Sequence, residues 1–134
     1  MDTSTHRERL METLDRMVRW LAKHNNFVSV TDEPYLPFSA EWQDWSGVSP
    51  GKSVVFLAYA FEQNSDLCFD PAVSFEIVNG AVEKCVYETW AAGTMEIDLN
   101  DPSVADFVEA VWQRHFLPRL EEANKDDTSG EPTA

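Results

Sequence analysis

Asn79-Gly80 sits between two strand-like runs, VSFEIV (Val73–Val78) and AVEKCVYETW (Ala81–Trp90), and no other feature constrains the fold as tightly. A two-residue hairpin loop that follows the right-handed twist of its strands needs positive φ at both central residues. Asn-Gly meets that requirement at the least steric cost. The two runs are therefore expected as antiparallel neighbours. Because an isolated hairpin is marginal in water, the rest of the chain must add strands or a covering helix.

The flanking sequence offers both. VVFLAYAF (Val54–Phe61) is apolar and aromatic, as a central strand should be. FVSV (Phe27–Val30), YLPFSAEW (Tyr35–Trp42) and MEIDL (Met95–Leu99) complete a meander, with Pro37 marking its strand as edge-like because proline donates nothing to a ladder. Asp44 to Lys52 is rich in Gly, Pro and Ser and reads as a loop. Before the strands, Leu10, Leu14, Met17, Val18 and Leu21 recur at helical spacing over Arg7 to His24. Thr5 and Glu8 form a capping-box pattern at its start, and Lys23 and His24 suit its negative end. After the strands, Asp101-Pro102 has the N-cap and first-turn residues of a second helix over 102–120. Its stripe is Phe107, Val108, Val111, Trp112 and then His115 or Phe116, and Pro118 should kink or end it.

The expectation is an α+β fold: N-terminal helix, antiparallel β-meander of five or six strands, C-terminal helix, with both helices on one sheet face. Residues 1–120 form a single domain, and 121–134, which lack large apolar side chains, form an acidic disordered tail. With 134 residues and 43% hydrophobic content the chain can bury one core. No apolar run approaches the roughly 18 residues of a membrane span, and MDTSTHRERL has no apolar signal core. Cys68 and Cys85 show no metal-type spacing and read as buried free thiols. A cytoplasmic location is the expectation.

Charge is the strongest compositional signal. The net value is −14, and residues 32–110 hold 15 acidic groups against Lys52 and Lys84, hence −13. Phosphate contacts need Lys and Arg, so direct nucleic-acid binding is not expected. An acidic face that meets a basic protein surface is one reading, and plain solubility or salt adaptation is the other.

Four acids, Glu62, Asp66, Asp70 and Glu76, crowd the stretch EQNSDLCFDPAVSFEI without an intervening Lys or Arg. Asn64, Ser65, Asp66 and Asp70-Pro71 are turn formers, so this stretch reads as a loop joining the strands Val54–Phe61 and Val73–Val78. A Ca²⁺ loop would supply oxygens at tight alternating spacing with a glycine, and Glu62, Asp66 and Asp70 do not match it. Glu76 and Glu88 could approach across the hairpin as a carboxylate pair, although a solvated face explains them equally well. His6, His24 and His115 form no cluster, and Gly51-Lys52-Ser53 has Ser46 where a phosphate loop needs its first glycine. No catalytic residue, metal ligand or cofactor is therefore expected. Trp42 and Trp45 could anchor a partner, but core packing or rim coverage is the commoner fate of such residues.

AYAFEQNSDLCFDPAVSFEI resembles the signature of a bacterial family of unknown function carried on plasmids, phages and integrative elements. In that signature an aromatic strand precedes E-x-N-G-D-L-x-x-D-P-E and a strand of F-E-V type follows. Glu62, Asn64, Asp66, Leu67, Asp70, Pro71, Phe75 and Glu76 match, while Ser65 replaces the glycine and Ala72 the final acid. Tyr35-Leu36-Pro37-Phe38 and Phe107 to Trp112 are similar to its other strand and closing helix, so the likeness spans most of residues 9–117. It implies an α+β domain and a mobile-element setting, with no catalytic residue to carry over.

The leading expectation is thus a non-enzymatic acidic accessory protein of a mobile element, acting by protein–protein interaction. In one version it is a nucleic-acid mimic that occupies the basic groove of a host defence or DNA-binding complex. Its contact residues would be Glu41, Asp44, Glu62, Asp66, Asp70, Glu76, Glu83, Glu88, Glu96 and Asp98. The alternatives are an enzyme or metal-dependent site at Glu62, Asp66 and Asp70, or an acidic domain of a salt-adapted host.

Overall fold

A computed structural model describes residues 3–63, 66–89 and 93–121, and of residues 3–5, 62–63 and 66–70 the backbone only. It has the expected α+β architecture, in the order α1 (Thr3–Ala22), β1 (Phe27–Val30), β2 (Phe38–Asp44), β3 (Lys52–Gln63), β4 (Asp66–Val78), β5 (Ala81–Thr89), β6 (Gly93–Ile97) and α2 (Pro102–Val111). The six strands form one antiparallel sheet in strict sequence order. Trp90 and the tail beyond residue 121 lie outside the described residues.

The anticipated hairpin is present. Val78 pairs with Ala81, and Asn79 and Gly80 take φ values of 52° and 79°. One residue is bulged out beyond it, because Ile77 opposes Val82 while Glu76 opposes Lys84, leaving Glu83 unpaired in the ladder. Gly51, at φ 76°, ends the neighbouring β2–β3 turn and accepts from the Asn79 amide at 2.9 Å. A Cβ there would run into the Asn79 side chain, which would have to move aside, and the positive φ itself favours glycine at 51.

The stretch from Asp66 to Asp70 is not a loop. Its backbone belongs to β4, whose ladder with β3 runs on to Gln63↔Asp66, so only residues 64 and 65 join the strands. What made the sequence look loop-like is absorbed by a bulge: Ala58 opposes Ala72 and Ala60 opposes Phe69, leaving Asp70 and Pro71 together opposite Tyr59. A bulge is where a strand tolerates a residue with no N–H to give.

The helix limits differ at both ends. α1 starts at Thr3, so Thr5 lies inside its first turn rather than at the N-cap. It stops at Ala22 because Asn25 and Asn26 turn left-handed, at φ 62° and 64°, a conformation that asparagine tolerates better than most residues. α2 begins as expected, with Asp101 extended and its carboxylate accepting from the Ser103 amide at 3.0 Å. Pro118 does not end it. The chain passes through a π-helical turn, Trp112–Phe116, and remains helical through residue 121. The Leu117 amide donates to the Trp112 carbonyl, five residues back, so the helix widens just before the proline. This widening also buries both His115 and Phe116, between which the regular periodicity cannot choose.

Sheet register sorts the side chains. The rows Val28–Ala40–Leu57–Val73–Tyr87–Met95 and Trp42–Val55–Phe75–Cys85–Ile97 face the helices. There they meet Leu10, Leu14, Met17 and Leu21 of α1 and Val104, Val108 and Val111 of α2 in one core. Arg9 ties the helices together through Glu109 at 2.8 Å and Asp106 at 2.9 Å. The core layer is not filled evenly. Beside β1 to β3 aromatic rings and a buried histidine close it, whereas between β4–β6 and α2 it retains an apolar crevice of about 260 Å³.

Candidate functional site

The opposite face of the sheet carries the rows Phe27–Glu41–Phe56–Ser74–Val86–Glu96 and Ser29–Ser39–Ala58–Ala72–Glu88–Thr94. Among the described residues no helix packs over it. Its middle is apolar: Phe56 is 38% exposed, and a shallow depression of about 80 Å³ lies among Phe56, Ala58, Ala72, Ser74, Val86 and Glu88. Phe27, half exposed, stands apart at the β1 edge, because Glu41 lies between it and Phe56 and bounds the apolar strip there. Carboxylates flank it, with Glu41 on one side and Glu88 and Glu96 on the other.

The candidate acids thus separate into groups. Glu41, Glu76, Glu88 and Glu96 share the open face by register. Glu76 is largely neutralised there, by Lys52 at 2.9 Å and Lys84 at 4.0 Å, and Lys84 also reaches Glu96 at 3.9 Å. Glu76 and Glu88 form no carboxylate pair, because Lys84 lies opposite Glu76 and Ala72 opposite Glu88. Asp44 and Asp98 close turns, accepting at 2.9 Å from the amides of Ser46 and Asn100. Hydrogen bonding from Ser46 holds the Asp44 carboxyl below its ordinary range. Glu83 is the exposed residue of the β5 bulge. The side chains of Glu62, Asp66 and Asp70 lie outside the described residues; their backbones place Glu62 opposite Leu67, Asp66 opposite Gln63 and Asp70 in the β4 bulge.

Of the two tryptophans, Trp42 turns inward against the core, its indole N–H buried without an acceptor. Trp45 covers the rim, donating to Gln43 at 2.8 Å with the Lys52 ammonium 5.3 Å from its ring centre.

A polar cluster that the sequence did not reveal lies at the β1–β3 end of the helix-covered face. The His115 side chain is only 1% exposed, and both of its ring nitrogens are used. Nδ1 lies 2.7 Å from Asp32 and Nε2 lies 2.8 Å from the Tyr59 hydroxyl. Arg119 grips Asp32 with two parallel hydrogen bonds of 2.9 Å and donates to the His115 carbonyl at 2.6 Å. The Arg119 guanidinium, aided by His115, pulls the Asp32 carboxyl down to about 2. Burial lowers the His115 pKa, so its neutral form is favoured in spite of Asp32. An ionised Asp32 accepts from Nδ1–H, which leaves Nε2 to accept from Tyr59. Phe38 stacks on the imidazole at 4.4 Å, and Arg114 caps the cluster 4.6 Å above the Tyr35 ring.

Carboxylate, imidazole and hydroxyl in series is the order in which a nucleophile is activated. Here the hydroxyl is spent on the imidazole Nε2 at 2.8 Å, and Tyr59 lines neither the apolar crevice nor the shallow depression on the open face. The cluster acts as a clasp that holds α2 and the helical residues after it to the segment following β1. Its signal in the sequence is a histidine in a helix's apolar stripe, which has to find polar partners once buried. Among the described residues, no three His, Cys, Asp or Glu side chains are grouped to hold a metal ion, and no helix is long and apolar enough to cross a membrane.

Comparisons with protein-family models, curated proteins and solved structures give no match, so the functional reading rests on this geometry.

Proposed function

We propose that this chain is a non-enzymatic binding module that takes a basic protein surface onto the open face of its sheet. One observation carries the reading: a six-stranded sheet with both helices on one side leaves an apolar strip centred on Phe56 on the other, rimmed by Glu41, Glu88 and Glu96. A desolvating apolar centre within a charged rim is the usual anatomy of a protein interface. Acids at the rim favour a cationic partner chiefly by speeding encounter. In the setting implied by the sequence resemblance, that partner would be a host protein met by an accessory protein of a mobile element, and nucleic-acid-binding complexes are a natural source of basic surfaces. Mimicry of a phosphate array draws less support, since Glu76 is tied to two lysines and the strip between the acids is apolar.

The test uses the immobilised chain, a Phe56→Ser variant and a Glu41→Gln/Glu88→Gln/Glu96→Gln variant, each checked for an unchanged melt. All are exposed to extract from a natural host at low and high salt. The parent should retain a basic protein, the triple variant should retain less of it at low salt, and Phe56→Ser should lose it at both. Equal retention by all three removes this face from consideration. Displacement of the captured protein by duplex DNA would favour the mimic version over a partner bound elsewhere on its surface.

A further inference from the structure

The crevice between β4–β6 and α2 serves no purpose in the reading above. It measures about 260 Å³, and its walls are almost wholly apolar. Phe75, Tyr87 and Phe107 present three aromatic rings to it, and Met95 and Cys85 contribute sulfur. Phe75 and Cys85 are buried in its floor, whereas Met95, 49% exposed, stands at its edge. The thiol is no nucleophile here, because burial pushes it up to about 12. Asp101 and Ser103, both exposed, line the mouth.

Volume and chemistry together narrow the occupant. An apolar cavity of about 150 Å³ stays dry and takes benzene. The larger space suits a fused bicyclic ring, and it is too small for a peptide helix. Rings and sulfur favour an aromatic guest over an aliphatic one, through edge and face contacts with three rings and polarizable contacts with two sulfurs. The Asp101 carboxylate, fixed at the mouth by its bond to the Ser103 amide, sets the sign of any polar substituent that points outward. An anion would be repelled there and an ammonium attracted. We propose that this crevice is a binding site for a small fused-ring aromatic molecule, neutral or with a cationic side arm, held by Phe75, Tyr87 and Phe107 with its polar end at Asp101.

Methyl-resolved NMR of the full chain, titrated with indole, tryptamine and indole-3-propionate, tests the proposal. Indole and tryptamine should shift the methyl signals of Val73, Met95 and Val104 in a saturable way and leave those of Leu14 and Met17 unmoved. Indole-3-propionate should bind at least tenfold more weakly than tryptamine. Asp101→Asn should shrink that ratio, and a ratio left unchanged would overturn the charge part of the proposal. Two variants fill the space from different sides: Val104→Phe from the helix and Met95→Trp from the exposed edge. Whichever retains the parent's amide spectrum should bind indole at least tenfold more weakly. Absence of saturable shifts in the parent at millimolar indole, or undiminished binding by a folded filled variant, overturns the site.

Discussion

The layer between helices and sheet is finished differently at its two ends. Beside β1–β3 it holds Phe38 stacked on His115, Phe116 edge-on to Phe38, and a polar clasp in which Asp32, His115, Tyr59 and Arg119 satisfy one another. Beside β4–β6 the same layer keeps a crevice with rings and sulfur atoms around it. The filled end has specific geometry and little tolerance, because each group there is another's partner. The unfilled end forgoes dispersion contacts and gains room. Stability and adaptability are thus segregated within one small core, and substitutions should register that segregation.

The largest effect is expected at the filled end. Phe38→Ala removes a fully buried ring from the imidazole and from Phe116, and should cost about 3–5 kcal/mol in urea unfolding. A loss near 1 kcal/mol would mean that this end is no tighter than the other. Next, Asp32→Ala leaves His115 and Arg119 facing an empty position and should cost about 2–3 kcal/mol, discounted from a fully buried pair because Asp32 is partly exposed.

The clasp also fixes a direction for pH dependence. Both Asp32 and His115 have pKa values below their unfolded ones, so the unfolded chain binds more protons and stability must fall on acidification. The His115 contribution is complete above the ordinary histidine value of about 6.5 and declines below it. The Asp32 contribution, on the order of 2 kcal/mol, is lost between roughly pH 4 and pH 2. Urea midpoints measured from pH 8 to pH 3 should trace this fall, and Asp32→Asn should flatten its acid part. A profile unaltered by that variant would place the acid sensitivity elsewhere.

At the unfilled end, Val104→Phe should be neutral or add about 1 kcal/mol to the unfolding free energy, since the crevice can receive the ring. A loss above roughly 2 kcal/mol would show that the space is not available to a side chain. The smallest effect concerns Trp42, whose buried indole N–H has no acceptor. Trp42→Phe deletes that donor along with some contact area, and should move stability by about 1 kcal/mol or less, because the two changes oppose.

How far the sequence reveals these regions depends on how local their causes are. Asn79-Gly80, the α1 stripe and the Asp101-Pro102 start each act within a few residues, and each is visible as a pattern. Asp70-Pro71 misleads because its residues favour turns, while the decisive event is a bulge set by the β3 partner. The clasp joins residues separated by 56 to 87 positions, and the π turn that buries His115 departs from the period a pattern search assumes. The open face could be foreseen only in part. Alternation marks Glu41, Glu76, Glu88 and Glu96 as outward, but the placement of Lys52 and Lys84 around Glu76 depends on cross-strand register.

The strict sequence order of the strands carries a kinetic consequence. Every ladder joins consecutive segments, so each pairing closes a short loop, and the sheet can zip outward from the Asn79-Gly80 turn without waiting for a distant strand. The costly closure is the one between the two helices, where Arg9 meets Asp106 and Glu109 across nearly a hundred residues. That contact has little to gain until the sheet between them is assembled. The meander is therefore expected to form early and the helix pair to dock late, so that substitutions beside Asn79 change the rate of folding while those at Arg9 change mainly the rate of unfolding.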